Sequence, residues 1–204
     1  MSKTGSGKTT EETAGTESVR DRILNTAREL FYREGVRAVG VDTVVARSGV
    51  AKTSLYRWFP SKDALIAAVL EAEAKDRWAG WDYNLANASS TDPREQLRAE
   101  FKGIARYVSS SKFRGCPFMN VITEFPDPEH PARKLAIEVT EELRRRIRGL
   151  IDQLDVRDPV ELTDQLVLLV DGAFSSAQAM GKQGPQKFLL AAAEALIEAQ
   201  LQKA

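Results

Sequence analysis

The chain has 204 residues, of which 43% are hydrophobic and 28% charged, a balance typical of a folded globular protein rather than a disordered one. Its 29 basic residues cancel 29 acidic ones, so no net charge draws the whole molecule to nucleic acid or to a membrane. One cysteine and one histidine exclude a disulfide framework and His-Glu-x-x-His zinc chemistry, and no apolar run approaches the roughly 20 residues of a spanning helix, so we expect a cytoplasmic protein.

The first 16 residues contain no large apolar side chain after Met1 and are rich in Thr, Gly and Ser. Such a segment cannot offset its loss of conformational entropy by burial, so we expect a disordered tail over 1–16. Residues 5–10 read Gly-Ser-Gly-Lys-Thr-Thr, like the end of a phosphate-binding loop. The first glycine of that motif is missing, and neither a strand nor a helix flanks it, which disfavours phosphate binding.

Four helices are predicted between residues 17 and about 85. Apolar residues spaced three and four apart mark the first helix, and Gly35 ends it. Two short helices follow, over about 41–48 and 52–59, with Gly49 in the turn between them. After Pro60, a fourth helix starts at Ser61 and extends to about residue 85. We assign residues 17–64 to an N-terminal domain.

Residues 65–204 are predicted to form a second domain that is also helical. After a polar linker at 87–91, Asp92-Pro93 supplies an N-cap and a first-turn proline, and Asp158-Pro159 repeats that signal. A short helix is expected at about 117–124, a long one at about 132–154, and two more at about 159–181 and 185–202. Neither an alternating strand pattern nor a solenoid repeat appears, so the sequence predicts an all-α fold.

The segment 41–62 matches a helix-turn-helix, in which Gly49 permits the positive φ that the sharp turn requires. Its second helix offers hydrogen-bond donors suited to base edges and phosphates. Residues 18–64 carry nine basic and five acidic side chains, a net charge of +4, so the rest of the neutral chain carries −4. A basic domain joined to an acidic one favours phosphate binding by the basic domain.

Three stretches make the pattern more specific. Residues 23–31 read Ile-Leu-Asn-Thr-Ala-Arg-Glu-Leu-Phe, Gly-Val follows at 35–36, and 48–62 read Ser-Gly-Val-Ala-Lys-Thr-Ser-Leu-Tyr-Arg-Trp-Phe-Pro-Ser-Lys. With these motifs, residues 19–66 resemble the DNA-binding domain of the TetR family of transcriptional regulators. The resemblance implies a helical ligand-binding and dimerisation domain after it, and it identifies no ligand.

The resemblance also implies roles for individual residues. Tyr56 and Lys62 are implied phosphate contacts, and Trp58 departs from the family, which usually has histidine there. Val39 and Gly40 stand where family members often have threonines that cap the second helix, so Thr43 is the candidate substitute. The implied DNA-binding set is Thr43, Lys52, Thr53, Ser54, Tyr56, Arg57, Trp58 and Lys62.

Aromatic side chains are concentrated between residues 78 and 125, which predicts either ordinary core or an apolar ligand pocket between helices. We expect the pocket to open near 115–117 and to take an aromatic or lipid-like inducer. Asn120 and Glu124 are expected to orient its single polar group. The predicted pocket residues are Trp78, Trp81, Phe101, Tyr107, Cys116, Phe118, Asn120, Glu124 and Phe174.

At three places in the sequence, a functional role competes with a purely structural one. The loop from Glu124 to His130 holds four potential metal ligands, but a solvated acidic loop is favoured, so we predict neither metal nor cofactor. The arginines at 144–148 fit surface pairing with acids on the same helix. Cys116 is expected to pack as a small apolar group, with a redox or electrophile sensor as the alternative.

These features predict a transcriptional regulator, not an enzyme, that binds a palindromic DNA operator as a homodimer and is released by a small molecule. We expect a repressor without membrane partners, and we expect the last two helices to form the dimer interface. The alternative is a non-regulatory helical binding or scaffold protein, in which the helix-turn-helix is purely structural. An enzyme built on His130 lacks a nucleophile–base pair or a cofactor motif.

Overall fold

A computed structural model describes residues 17–202, so the disordered tail expected over 1–16, with its phosphate-loop-like segment, lies outside the described residues. The described residues form α-helices, two short 3-10 turns and loops, with one isolated antiparallel bridge between Val156 and Leu201 and no strand. The all-α prediction is therefore confirmed. None of the described helices is long and apolar enough to cross a membrane.

The first four helices are α1 (Val19–Glu34), α2 (Val41–Ser48), α3 (Lys52–Trp58) and α4 (Lys62–Ala86). The Ser18 hydroxyl caps α1 by accepting a hydrogen bond from the Asp21 N–H, and the Ser61 hydroxyl caps α4 in the same way. Gly49, between α2 and α3, has a φ of 66°, so the left-handed turn expected there is present. These bounds agree with the prediction to within about one residue.

A single apolar cluster holds α1 to α4 together. Leu55 of α3 is fully buried, and Phe59 just after α3 is 3% exposed, as expected for core residues. The same cluster takes in residues from α6 (Pro117–Glu124) and from the start of α7 (Pro131–Ile151). Burial of this shared surface holds α6 and the start of α7 against α4. The residues contributed by α6 and α7 are Phe118, Val121, Ala132, Ala136 and Val139.

A second apolar cluster joins α5 (Pro93–Val108) and the later part of α7 to α8 (Pro159–Met180) and α9 (Leu189–Gln200). The helices α5 to α8 each have proline in the first turn, where the missing N–H costs no helical hydrogen bond. The last helix begins at Leu189, later than the expected residue 185, because residues 185–188 form a 3-10 turn. The long helix α7 ends at Ile151, three residues before the expected 154.

Candidate DNA-binding surface and ligand cavity

The recognition helix α3 has one face in the core and the other in solvent. Leu55 lies against α1 and α2 in the apolar cluster, whereas Tyr56 and Trp58 expose 43% and 49% of their surface. Of the predicted DNA-binding residues, Ser54 and Lys62 are partly buried and the others are exposed. The exposed ones are Thr43, Lys52, Thr53, Tyr56, Arg57 and Trp58.

Lys52 is the one predicted contact that forms an ion pair in the described structure. Its ammonium lies 2.7 Å from the Asp42 carboxylate at the start of α2. The hydrogen bond and charge of Asp42 raise the pKa of Lys52 above its ordinary value. A DNA phosphate approaching Lys52 must therefore compete with Asp42.

The N-terminus of α2 has no side-chain cap. Gly40 occupies the cap position, and Val39 before it is 1% exposed and part of the core. Thr43 does not replace the missing cap, although its backbone N–H donates to the Gly40 carbonyl at 3.1 Å. Its side chain stays exposed to solvent.

A cavity of about 310 Å³ lies among α4, α5, α6 and α8. The predicted entrance residues Cys116 and Pro117 are part of its wall. The cavity also brings together four of the aromatic side chains that the sequence predicted for a pocket. These are Trp81, Tyr107, Phe118 and Phe174.

Four predicted pocket residues lie elsewhere. Phe101 has no exposed surface and is packed in the second apolar cluster, and Trp78 lies under the Arg146 guanidinium, whose central carbon is 4.4 Å from the indole centroid. The Asn120 amide donates to the Arg114 carbonyl at 3.2 Å. The prediction that these residues and Glu124 line the cavity is wrong, because local packing and backbone contacts engage their side chains.

Glu124 instead binds the turn that follows α1. Its two carboxylate oxygens accept hydrogen bonds from the backbone N–H groups of Val36 and Arg37, at 3.1 and 2.8 Å. Nearby, the Tyr32 hydroxyl of α1 accepts from the Arg114 N–H at 2.7 Å and contacts the Gly115 carbonyl oxygen at 3.1 Å. Residues from 114 to 124 therefore connect the cavity entrance to α1 and to the turn that leads from α1 into the helix-turn-helix.

The cavity wall also contains charged and amide groups that the sequence analysis missed. Carboxylates come from Glu73, Asp76 and Glu100, and they lie near Arg77 and Arg106. The sequence did contain a signal for these groups: residues 73, 77 and 84 are spaced three or four apart along one helix with Trp81, so they share its face. The cavity therefore differs from the apolar pocket that the sequence predicted, because its apolar walls surround a charged and polar patch.

Burial raises the pKa of the Glu100 carboxyl, although a hydrogen bond from Asn84 and the charge of Arg77 lower it in part. Burial also raises the pKa of the Cys116 thiol. A raised thiol pKa reduces the thiolate fraction at neutral pH, which disfavours a sensor based on Cys116.

The loop before α7 has a structural role. The His130 ring nitrogen Nδ1 accepts a hydrogen bond from the Ala132 N–H, and the ring stacks on Phe125 with centroids 4.1 Å apart. Within residues 17–202, no group of three or more His, Cys, Asp or Glu residues is placed to hold a metal ion. The arginine run pairs partly within α7, as expected, and partly with α8, where Arg144 lies 2.5 Å from Asp164.

The surface formed by α8 and the start of α9 exposes large apolar side chains. Leu168 and Phe188 are 71% and 61% exposed, and both border a shallow groove with Gly172, Ser176 and Ala192. A surface of this kind is typical of an interaction site. Leu166, also on α8, is fully buried inside the protomer and so lies outside this surface.

Two family models match most of the chain. Residues 23–69 match the model for bacterial regulatory proteins of the tetR family, and residues 93–193 match the tetracyclin repressor-like C-terminal domain. Among curated proteins, the HTH-type transcriptional regulator YjdC of Escherichia coli is 24% identical over 156 residues, which are 76% of this chain and 81% of YjdC.

Two solved structures share this fold over most of the chain. The TetR-family transcriptional regulator SCO4454 of Streptomyces coelicolor has a TM-score of 0.85 and 30% identity, covering 90% of this chain and 96% of that one. A regulator assigned to the same family from Streptomyces avermitilis has a TM-score of 0.78 and 31% identity, covering 90% of this chain and 98% of that one.

Proposed function

The chain belongs to the TetR family of transcriptional regulators, which are not enzymes, and from that membership we propose that it is a ligand-released repressor. In this proposal a homodimer binds a palindromic operator in the cytoplasm, and a small molecule in the cavity releases it. The single observation that carries the proposal is the exposed donor-rich face of α3 on a core that fixes its orientation.

The proposed DNA contacts divide into two kinds. Tyr56 and Lys62 are assigned to phosphates, where they hold the protein on the duplex without reading sequence. Lys52 and Arg57 are assigned to base edges in the major groove, Arg57 because a guanidinium can bind guanine with two hydrogen bonds. Thr43, Thr53, Ser54 and Trp58 lie around them as further contacts.

The dimer is assigned to the exposed apolar surface of α8 and α9. Leu168 and Phe188 gain burial there, and the small side chains at 172, 176 and 192 allow two helices to approach closely. A two-fold axis through this surface presents two recognition helices to successive major grooves about 34 Å apart. A palindromic operator follows from that symmetry.

Release by ligand is assigned to the segment 114–124. This segment borders the cavity at Cys116 to Phe118, and it binds α1 through Tyr32 and the turn before the helix-turn-helix through Glu124. A ligand that prefers one position of this segment shifts the population between DNA-binding and released arrangements of the two recognition helices. Substituting Tyr32→Phe should therefore weaken the effect of ligand on DNA affinity.

Fluorescence anisotropy on the chain's own upstream DNA and on a random duplex tests the contacts. Tyr56→Phe and Lys62→Ala should weaken binding to both duplexes alike. Arg57→Ala should reduce the preference for the specific site by about 1–3 kcal/mol. The control is Arg145→Ala, which removes an exposed arginine of α7 and should leave both affinities unchanged. Equal losses on both duplexes for Arg57→Ala would contradict base reading.

A further inference from the structure

The polar patch of the cavity contains a donor and an acceptor that do not satisfy each other. Glu100 is 3% exposed, and its Oε2 accepts a hydrogen bond from the Asn84 amide at 2.9 Å. Its other oxygen, Oε1, lies 3.9 Å from Nη2 of Arg77, which is too far for a hydrogen bond. That Nη2 atom is buried and has no hydrogen-bond partner among the described residues. Buried polar groups are rarely left unpaired, so the Arg77 Nη2 donor needs an acceptor, and Oε1 of Glu100 is the nearby carboxylate oxygen that does not bind Asn84.

The charges of the cavity wall already balance one another. Arg28 of α1 binds both Glu73 and Asp76, at 2.8 and 2.5 Å. Glu100 faces Arg77, and the Arg106 guanidinium donates to the Asn84 side-chain oxygen at 3.1 Å. An anionic ligand group at the unpaired atoms would meet Glu100, and a cationic group would meet Arg77. This arrangement favours a neutral group that both donates and accepts.

The rest of the cavity suits an apolar body. Trp81, Phe118 and Phe174 are each no more than 5% exposed, and the rings of Tyr107 and Phe174 meet edge to face at 6.2 Å. A volume of about 310 Å³ is at the small end of the range for ligand sites, so it fits a molecule of two or three rings.

We propose that the cavity binds a neutral, aromatic or alicyclic molecule whose hydroxyl group bridges Glu100 and Arg77. One hydroxyl donates to Oε1 of Glu100 and accepts from Nη2 of Arg77. An oxygen about 2.8 Å from each atom fits between atoms that lie 3.9 Å apart. This inference rests on the proposed function of the cavity as an inducer site, and it replaces Asn120 and Glu124 with Glu100 and Arg77 as the residues that orient the ligand.

A probe series with one apolar body and four polar ends tests the inference on the full chain at pH 7.5 without DNA. The probes are 2-naphthol, naphthalene, 2-naphthoate and 2-naphthylmethylammonium, and binding is followed by quenching of tryptophan fluorescence. We expect 2-naphthol to bind at least about tenfold more tightly than each of the other three, as for hydrogen bonds to charged groups. Equal binding of either ion, no advantage over naphthalene, or no binding by any probe would overturn the inference.

Substitutions in and outside the cavity test whether Glu100 and Arg77 cause the preference for 2-naphthol. Glu100→Gln keeps an oxygen for Asn84 but replaces the acceptor that faces the ligand, so the preference for 2-naphthol over naphthalene should fall toward one. Glu95→Gln lies on the same helix outside the cavity and should keep the full preference. If Glu100→Gln lowers the melting temperature strongly, Arg77→Lys provides the same test, because its shorter reach removes the second hydrogen bond.

A preference for 2-naphthol that survives in both cavity variants would also overturn the proposal. DNA binding by the ligand-free protein is measured separately. Loss of DNA binding would therefore contradict the proposed repressor function, whereas loss of the 2-naphthol preference would contradict only the hydroxyl assignment.

Discussion

Substituting Leu168→Arg should separate the proposed dimer into folded protomers. Fully burying a leucine side chain contributes about 1.5–3 kcal/mol, and Leu168 is 71% exposed in the isolated protomer, so its burial at an interface contributes about 1–2 kcal/mol per copy. A two-fold interface contains the residue twice, which gives about 2–4 kcal/mol and weakens the dimer by about 30- to 700-fold. Two facing arginines add repulsion to this loss.

Sedimentation equilibrium between 0.1 and 50 μM (concentrations set on the order of common dimer affinities) measures the change. The Leu168→Arg protein should sediment as a monomer, keep the helical circular dichroism of the wild type, and lose operator affinity. Leu166→Arg is the contrasting variant: because Leu166 is fully buried in the protomer, it should unfold the chain instead of separating two folded copies. A Leu168→Arg protein that stays dimeric with unchanged affinity would refute the assignment of this surface.

Asp42→Asn frees the Lys52 ammonium from its ion pair and removes an exposed negative charge near α3, so it should raise DNA affinity several-fold in a salt titration; weaker binding would contradict this. Phe101→Ala should lower the free energy of unfolding by about 3–5 kcal/mol in urea, since the ring is fully buried; a loss below about 1 kcal/mol would place it outside the core. Because burial raises its thiol pKa, Cys116 should react with iodoacetamide more slowly than free cysteine at pH 7.5, and Cys116→Ser should leave the ligand response intact. Because the pKa of Glu100 is raised in the folded state, protonated Glu100 stabilises the fold. This stabilisation is full below the ordinary carboxyl pKa and is lost as the pH rises through the raised pKa. The free energy of unfolding in urea should therefore fall over that pH window, and Glu100→Gln should flatten the fall.

Local signals determined most of the helix boundaries. First-turn prolines with Asp92 and Asp158 as N-caps mark α5 and α8, and Gly49 marks the turn of the helix-turn-helix. Each of these effects depends on residues within one helical turn, so sequence reasoning can identify it. The late start of α9 at Leu189 was missed because Gly184-Pro185 begins a 3-10 turn as readily as an α-helix.

The cavity was only partly predictable because it depends on side-chain partners that are distant in sequence. Glu124 was expected to orient a ligand, but its partners are two backbone N–H groups 87 and 88 residues away. Glu100 and Arg77 belong to different helices, so no spacing within one helix indicates that they meet. Of the aromatic residues singled out from the sequence, Trp81 and Phe174 line the cavity whereas Phe101 is packed in the core, and aromatic content alone does not separate the two environments.

A nuclease footprint of the purified protein on DNA upstream of its own gene tests the central claim most directly. The account predicts one protected region with two inverted half-sites whose centres lie one helical turn, about 34 Å, apart. Protection should weaken steeply between 50 and 200 mM salt, because several phosphates are neutralised on binding. No protection beyond that seen on random DNA, or protection without two-fold symmetry, would contradict the claim that this chain binds an operator as a homodimer.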